Sequence, residues 1–424
     1  MENQISPSSE VLPNNKLYEP KKSQARILSY LGPAFLVSVG YMDPGNWGTD
    51  IQGGSDFGYK LLWVLLVSNL MAILLQTLSA KLGIVTGKSL AENCREYFSR
   101  PVSLILWVLS ELAMMATDLA EFLGAALGFY ILFNIPMFSA ALITGVVVFG
   151  ILWFYRFGYR AVEYIIIGLV LTIGFCYVIE IFLAKPVWGE IGKHVIIPWI
   201  DSKSILVAVG MLGATVMPHN LFLHSGIIRY RLKNNNGVTH KKLFKFAIID
   251  SIFALNGAWL VNSAILIMSA AVFFKNGLSV STITEAHKTL TPLLGGLSSM
   301  AFAIALLSSG LSSSTTGTLA GQIVIEGFLK IKISLFLRRL VTMIPALIVI
   351  YIGVNELKIL VLSQVFLSLA LPFVTIPLII FTWKKKIMGE YANKPLTNVL
   401  AIFSAGIIIF LNLLLLYQVF GGSF

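Results

Sequence analysis

The sequence predicts an all-α polytopic membrane protein of eleven transmembrane helices, built as a 5+5 inverted repeat whose first and sixth helices are discontinuous. Three observations carry this. Hydrophobic residues make up 57% of the chain and charged residues only 12%, with a mean hydropathy of +0.83. Apolar runs of 18 or more residues, long enough to cross a bilayer, recur along its length. Two short polar segments, Asp43-Pro44-Gly45-Asn46 and Met217-Pro218-His219-Asn220, interrupt two of those runs.

Residues 1–27 are polar, lack the short apolar core and small-residue cleavage site of a secretory signal, and read as a cytoplasmic tail. Five spans follow, at 28–58, 60–84, 101–127, 137–155 and 161–184, and make a first repeat over 28–184. Five more, at 204–228, 246–272, 291–325, 335–353 and 358–383, make a second over 204–383. Because five is odd, the halves run in opposite orientations, and both begin with an interrupted helix, the mark of an inverted repeat. The last span, 396–420, lies outside the repeat, so 396–424 is a peripheral eleventh helix and C-terminus.

The net charge of +11 reports orientation. With the N-terminus inside, 24 of the 31 lysines and arginines fall on inner segments, including the run Lys384-Lys385-Lys386. The positive-inside rule therefore sets the topology as N-terminus cytoplasmic and C-terminus extracellular, in the cell membrane, with the basic residues drawn to anionic lipid. No nucleic-acid partner is implied, and no loop is long enough for a soluble domain. The two cysteines, Cys94 and Cys176, are far apart and form no CxxC pair, which excludes a disulfide framework or a thiolate metal site. Gly83 to Ser89 imitates a phosphate loop but is one residue short and follows no strand, so no nucleotide is expected. There is no nucleophile elbow, HExxH or cofactor fingerprint, and the chain is read as neither an enzyme nor a cofactor protein.

The chemistry concentrates at the two breaks. Pro44 removes a backbone donor, Gly45 permits unusual dihedrals, and the opened helix frees carbonyls beside Asp43 and Asn46, both hard oxygen donors. The alternative is a proline kink whose Asp and Asn only cap half-helices. Pro218 breaks the sixth span in the same way, and Met217 beside it offers a thioether, although methionine on a membrane helix is most often packing. One carboxylate, one amide, one carbonyl and one thioether suit Mn²⁺, Fe²⁺ or Co²⁺, whereas Mg²⁺ and Ca²⁺ gain nothing from sulfur. His219 is able to ligate metal, carry a proton or serve as a hydrogen-bonded structural residue.

In the third span, Glu111, Asp118 and Glu121 are spaced seven and three residues apart, within about 80° of one helical face. Such an acidic stripe faces a cavity, forms internal ion pairs or relays protons. Ser308 to Thr318 reads as close helix packing, with the lining of a polar pathway as the alternative. Gln364 reads as a cavity-facing amide or an interhelical hydrogen bond, and Asn262 and Asp250 are vaguer cases of the same kind.

The segments Gly-Tyr-Met-Asp-Pro-Gly-Asn at 40–46, Gly-Ala-Thr-Val-Met-Pro-His-Asn at 213–220 and Ala-Thr-Asp-Leu-Ala-Glu-Phe-Leu-Gly at 116–124 resemble the Nramp divalent-metal transporters, in particular the bacterial proton-coupled manganese importers. The resemblance runs from about residue 28 to the C-terminus and implies a LeuT-like fold. It implies metal ligation by the side chains of Asp43, Asn46 and Met217 and the carbonyl of Ala214, with Gln364 approaching the ion. Gly40 stands where many relatives carry alanine. It further implies a proton exit route through Asp118 and Glu121 with Arg231 and Arg339 as cationic partners, and proton uptake at Asp43 with His219 and Glu111. A dication needs Asp43 ionised, so metal arrival favours proton release and one carboxylate links both fluxes.

The function expected is import of Mn²⁺, with Fe²⁺ and similar metals accepted, coupled to protons by alternating access in a monomer. Two alternatives stand beside it. One is a sodium-coupled organic-solute symporter of the same fold, and the other is an uncoupled metal uniporter or channel.

Overall fold

A computed structural model describes the backbone of residues 32–154, 159–233 and 239–420, and the side chains of 32–154, 161–229 and 239–420. The expected tail at 1–27 and the side chain of Arg231 lie outside the described residues. The described chain is helical throughout, without strands. In order the helices are α1 (Pro33–Gly40), α2 (Pro44–Phe57), α3 (Leu62–Thr86), α4 (Leu90–Tyr97), α5 (Arg100–Phe133) and α6 (Met137–Trp153). They continue as α7 (Tyr159–Ala184), α8 (Trp188–Ile196), α9 (Ile205–Thr215), α10 (Pro218–Lys233), α11 (His240–Val272) and α12 (Ile283–Leu294). The last six are α13 (Gly296–Leu329), α14 (Leu335–Ile352), α15 (Glu356–Ala370), α16 (Pro372–Trp383), α17 (Lys385–Met388) and α18 (Pro395–Val419).

Among the described residues, nine helical stretches are long and apolar enough to span a membrane, and Met137–Trp153 is a shorter apolar helix. Three of the nine are composite. Pro44–Thr86 joins α2 to α3, Ile205–Arg229 joins α9 to α10, and Glu356–Trp383 joins α15 to α16. The last of these is a third interruption, at Leu371-Pro372, where proline again opens a new helix at its first position. The short helices α4, α8 and α12 are polar or amphipathic connectors that apolar runs do not signal. The stretch expected at 291–325 begins instead at Gly296, after Gly295 (φ 93°) separates α12 from α13.

Packing places the broken helices at the centre. Residues 33–34, 36–51, 205, 207–228 and most of α13 are buried, while one face of α6, α7, α14 and α18 is exposed and apolar, as a lipid-facing surface requires. The main scaffold contact is α13 against α5. It is close because a Cβ at Gly310 would lie 2.4 Å from the backbone nitrogen of Ala125. The Ser/Thr run from Ser308 serves the same packing. Ser312, Thr315, Thr316 and Thr318 return their hydroxyls to carbonyls three or four residues earlier, so a polar sequence presents little unsatisfied polarity.

The end of the bundle at which α1 begins, taken as inner from the lysine and arginine bias, is closed by several ties. Asp250 on α11 accepts from Gly32 N (3.1 Å) and Ala34 N (2.9 Å), capping α1 across 216 to 218 residues of sequence. Ser79 on α3 donates to Leu221 O, Ser225 Oγ accepts from Leu90 N (2.9 Å), and Arg229 pairs with Glu92.

Candidate metal centre

The two breaks are built by the same arithmetic. An α-helical carbonyl at i bonds the N–H at i+4, and proline has none. Pro44 therefore frees the carbonyl of Gly40, and Pro218 frees that of Ala214. Each proline is the first residue of its new helix, so neither is a kink within a continuous one. Asp43 is the N-cap of α2, with Oδ1 accepting from Asn46 N at 2.8 Å. Gly45 does not supply the unusual dihedrals expected of it, because it sits in the first turn of α2 and is not among the positive-φ glycines. Its role is steric. A Cβ there would lie 1.6 Å from Nε2 of Gln364 on α15, and one at Gly213 would lie 2.2 Å from the Gln364 carbonyl. Glycines on both broken helices thus let α15 seat Gln364 against the site.

The freed carbonyls at the first break are mostly claimed by neighbouring helices. Tyr41 O accepts from Asn262 Nδ2 (2.7 Å), Met42 O from Ser309 Oγ, and Gly40 O from Asn46 Nδ2 (3.4 Å). Asn262, Asp250 and Ser309 are therefore structural supports of α1 and its break. What is left over is a set of buried acceptors. Asp43 Oδ2, Asn220 Oδ1 and Gln364 Oε1 have no hydrogen-bond partner among the described residues. Asn46 Nδ2 donates to Asp43 Oδ1 at 2.9 Å and its Oδ1 accepts from Asn262 Nδ2 at 3.3 Å, so binding a cation through Oδ1 requires its amide to turn. Met217 Sδ lies 3.6 Å from Asn220 Nδ2, and Asn220 in turn faces Gly40, whose Cβ would fall 2.6 Å from Nδ2. Asp43, Asn46, Ala214, Met217 and Gln364 are all at 0% exposure, so the centre is out of contact with solvent. Among the described residues no three His, Cys, Asp or Glu cluster as a metal site, consistent with a mixed donor set holding one carboxylate.

The acidic stripe of α5 meets cations on α14. Asp118 Oδ1 receives Arg339 Nη1 at 3.2 Å, and Arg339 Nη2 donates to Ser314 Oγ at 3.1 Å. Glu111 Oε1 lies 2.9 Å from Arg338 Nη2, a partner that sequence reading missed. Glu121 has both oxygens buried without a hydrogen-bond partner among the described residues, and it stands within electrostatic reach of Asp43 and Asp118. The expected grouping of Glu111 with His219 at Asp43 is therefore not what the structure brings together. On a helix rising 1.5 Å per residue, Glu111 is roughly 15 Å from Glu121, and Glu121 is the carboxyl beside the break. His219 Nδ1 instead meets Thr117 Oγ1 at 3.3 Å, on the same side as the α5 stripe.

Two further polar groups escaped sequence reading. Gln76 bridges Tyr41 OH (2.7 Å) and His224 Nδ1 (3.0 Å), tying α3 to the first break and to α10. Asp50, two turns beyond Asp43 on the same face of α2, has both oxygens buried and unpaired among the described residues, near Tyr177 on α7. Its seven-residue spacing from Asp43 was the available signal. Toward the end of the bundle opposite the start of α1, Trp47 stacks edge-on with Tyr177 (5.1 Å) and Phe302 (5.3 Å), and Thr284 Oγ1 on α12 donates to Glu356 on α15 at 3.0 Å.

Comparison with known proteins agrees with these features. The model of a family described as Nramp, natural resistance-associated macrophage protein-like, matches residues 34–418. The chain is 51% identical over 399 residues to a divalent metal cation transporter MntH of Caldanaerobacter subterraneus subsp. tengcongensis, covering 94% of this chain and 95% of the relative. It is similar to a crystal structure of the Eremococcus coleocola manganese transporter, with TM-score 0.81 and 37% identity, covering 95% and 90% of the two chains. A nucleobase-cation-symport-1 family transporter, Mhp1, shares the fold alone, with TM-score 0.59 and 13% identity.

Proposed function

This chain belongs to the Nramp family and is a membrane transporter of divalent metal cations; from that premise we propose that it imports Mn²⁺, with Fe²⁺ also accepted, together with protons that move in the same direction, by alternating access. The observation that carries the reading is the donor set buried at the two breaks. Asp43 and Asn46 bring hard oxygens, the Ala214 carbonyl is freed by Pro218, Met217 brings sulfur, and Gln364 is seated from α15. Oxygen with one thioether favours borderline transition metals over Mg²⁺ and Ca²⁺. Discontinuous helices in both halves support alternating access over a continuous pore.

In this reading Asp43 is the shared group. A dication at Oδ2 requires the carboxylate form, and a proton leaving it has the buried Glu121 of the α5 stripe within electrostatic reach as an acceptor. Asp118 with Arg339, and Glu111 with Arg338, then continue a separate exit between α5, α13 and α14, so that metal and proton take different routes. Asp43 and Glu121 thus act on the proton, while Met217 acts on selection. We take the two repeats as 28–184 and 204–383, the protein as a monomer in the cell membrane, and the N-terminus as cytoplasmic, on the basic-residue bias.

Uptake into proteoliposomes under an imposed pH gradient tests this. Asp43→Ala is expected to abolish Mn²⁺ uptake and the accompanying acidification, and Met217→Ala to reduce discrimination against Ca²⁺. Mn²⁺ transport persisting in Asp43→Ala would remove the site assignment, and metal uptake without acidification in the wild type would leave a uniporter.

A further inference from the structure

Seven exposed lysines gather on one face of the molecule, from two parts of the chain about 140 residues apart. Lys241, Lys242 and Lys245 lie on the first turns of α11, and Lys384, Lys385, Lys386 and Lys394 lie around α17 and the start of α18. Contacts hold the two groups side by side. The rings of His240 and Tyr391 are 6.1 Å apart. Lys81, buried at the end of α3, donates to Asn393 Oδ1 at 2.8 Å while its Nζ lies 5.7 Å from the Phe244 ring. Asn393 is itself fixed by Thr382, through N to Thr382 O (3.0 Å) and Nδ2 to Thr382 Oγ1 (2.9 Å), so the α16–α18 connection is held against α11. None of the seven lysines is in an ion pair among the described residues, and the acids close by in sequence are Glu390 and the buried Asp250 that caps α1.

The surface next to these charges is apolar and lipid-facing. Trp383, directly before the lysine run, is 52% exposed, and Leu396, Val399 and Phe403 form a stripe on α18 that is 62–70% exposed. A soluble acidic protein has no use for an exposed stripe descending into the membrane, whereas a phospholipid places its phosphate on the lysines and an acyl chain along α18. We propose that this face is a binding site for an anionic phospholipid of the surrounding membrane. The headgroup rests between the start of α11 and α17, and the chain covers Trp383, Leu396, Val399 and Phe403.

Each lysine near an anionic surface strengthens attraction by roughly fivefold, so loss of three weakens it by about a hundredfold before salt screening. Native mass spectrometry of the full chain released from detergent, titrated with phosphatidylglycerol and with phosphatidylcholine, reads this directly. The wild type is expected to retain phosphatidylglycerol at least tenfold more strongly. K384Q/K385Q/K386Q and K241Q/K242Q/K245Q are each expected to remove that preference, and K384R/K385R/K386R to keep it, which separates charge from folding. Equal retention of both lipids by the wild type overturns the proposal. So does phosphatidylglycerol retention unchanged in both glutamine triples, or capture of an acidic peptide by the lysines with lipid retention unaffected.

Discussion

Replacing Gly45 with alanine tests the seating of Gln364 with a single carbon atom. The added Cβ would stand 1.6 Å from Gln364 Nε2, 2.4 Å from its Cδ and 3.1 Å from its Cγ. Ordinary contact begins near 3.4 Å, so the amide must withdraw by about 1.8 Å. It cannot do so freely, because the Gln364 carbonyl is pressed against Gly213 on α9 and Leu360, one turn earlier, sits against Gly48. Either the side chain swings out of the centre or α15 tilts away from α2 and α9. Overpacking of this kind costs typically about 1–3 kcal/mol, which corresponds to roughly a 5- to 150-fold loss of affinity for an ion that needs the site closed. Because Gly45 already has helical geometry, alanine adds no backbone strain, and the effect isolates the contact. The assay is Mn²⁺ binding by calorimetry together with uptake, for Gly45→Ala, Gln364→Ala and the double variant. In the Gln364→Ala background the clash disappears, so adding Gly45→Ala should cost little, a coupling that a double-mutant cycle reads. If Gly45→Ala binds Mn²⁺ as the wild type does, or if its defect is the same with and without Gln364, the seating is wrong.

Other perturbations separate the supports of the site from the site itself. Asp250→Ala removes the acceptor for Gly32 N and Ala34 N, and a lost cap costs about 1–2 kcal/mol, so the melting temperature in detergent should fall by a few degrees, with Asp250→Asn falling less. Glu356→Ala removes the acceptor of Thr284 Oγ1 that ties α12 to α15, and cysteines introduced near Trp47 should then react faster with a membrane-impermeant thiol reagent; an unchanged rate would deny α12 a part in outer closure. Burial at Glu92 favours the neutral acid, but the Arg229 guanidinium and hydrogen bonds from Ser89 outweigh it, holding the carboxyl below its usual range. A depressed folded value means that its stabilisation is present at neutral pH, above the unfolded carboxylate range near 4.3, and is lost as pH falls through the folded value. Glu92→Gln should therefore lower the melting temperature at pH 7 and narrow its gap from the wild type in acid, and a gap that stays constant with pH would contradict the ion pair.

Much of the centre was legible because its causes are local. A proline four residues after Gly40 and after Ala214 frees those carbonyls wherever the helices pack, and Asp43 at an N-cap position follows from its place before Pro44. The donor types, and hence the metal class, are likewise written in the side chains. Roles that depend on two helices meeting were not legible in the same way. Gly45 suggests unusual dihedrals by its residue type and is instead a steric seat, because the contact that defines it comes from Gln364, more than 300 residues away. The family resemblance joins Glu111 to Asp43, but Arg338 claims it, and Glu121 stands within electrostatic reach of Asp43. Asp50, with its spacing of seven, was visible as a pattern but had no meaning until α7 brought Tyr177 alongside.

By itself, the sequence determined that this chain lives in a bilayer, where its helices break, and which donor atoms those breaks carry. These depend on hydropathy, on proline's missing N–H and on side-chain chemistry, all of which act within a few residues. The tertiary structure alone decided which buried acid faces Asp43, which arginine answers each carboxylate, and which amide covers the site. Those outcomes depend on the rotation and depth of one helix against another, and a shift of one residue turns a helix by about 100° and carries a side chain to a different neighbour.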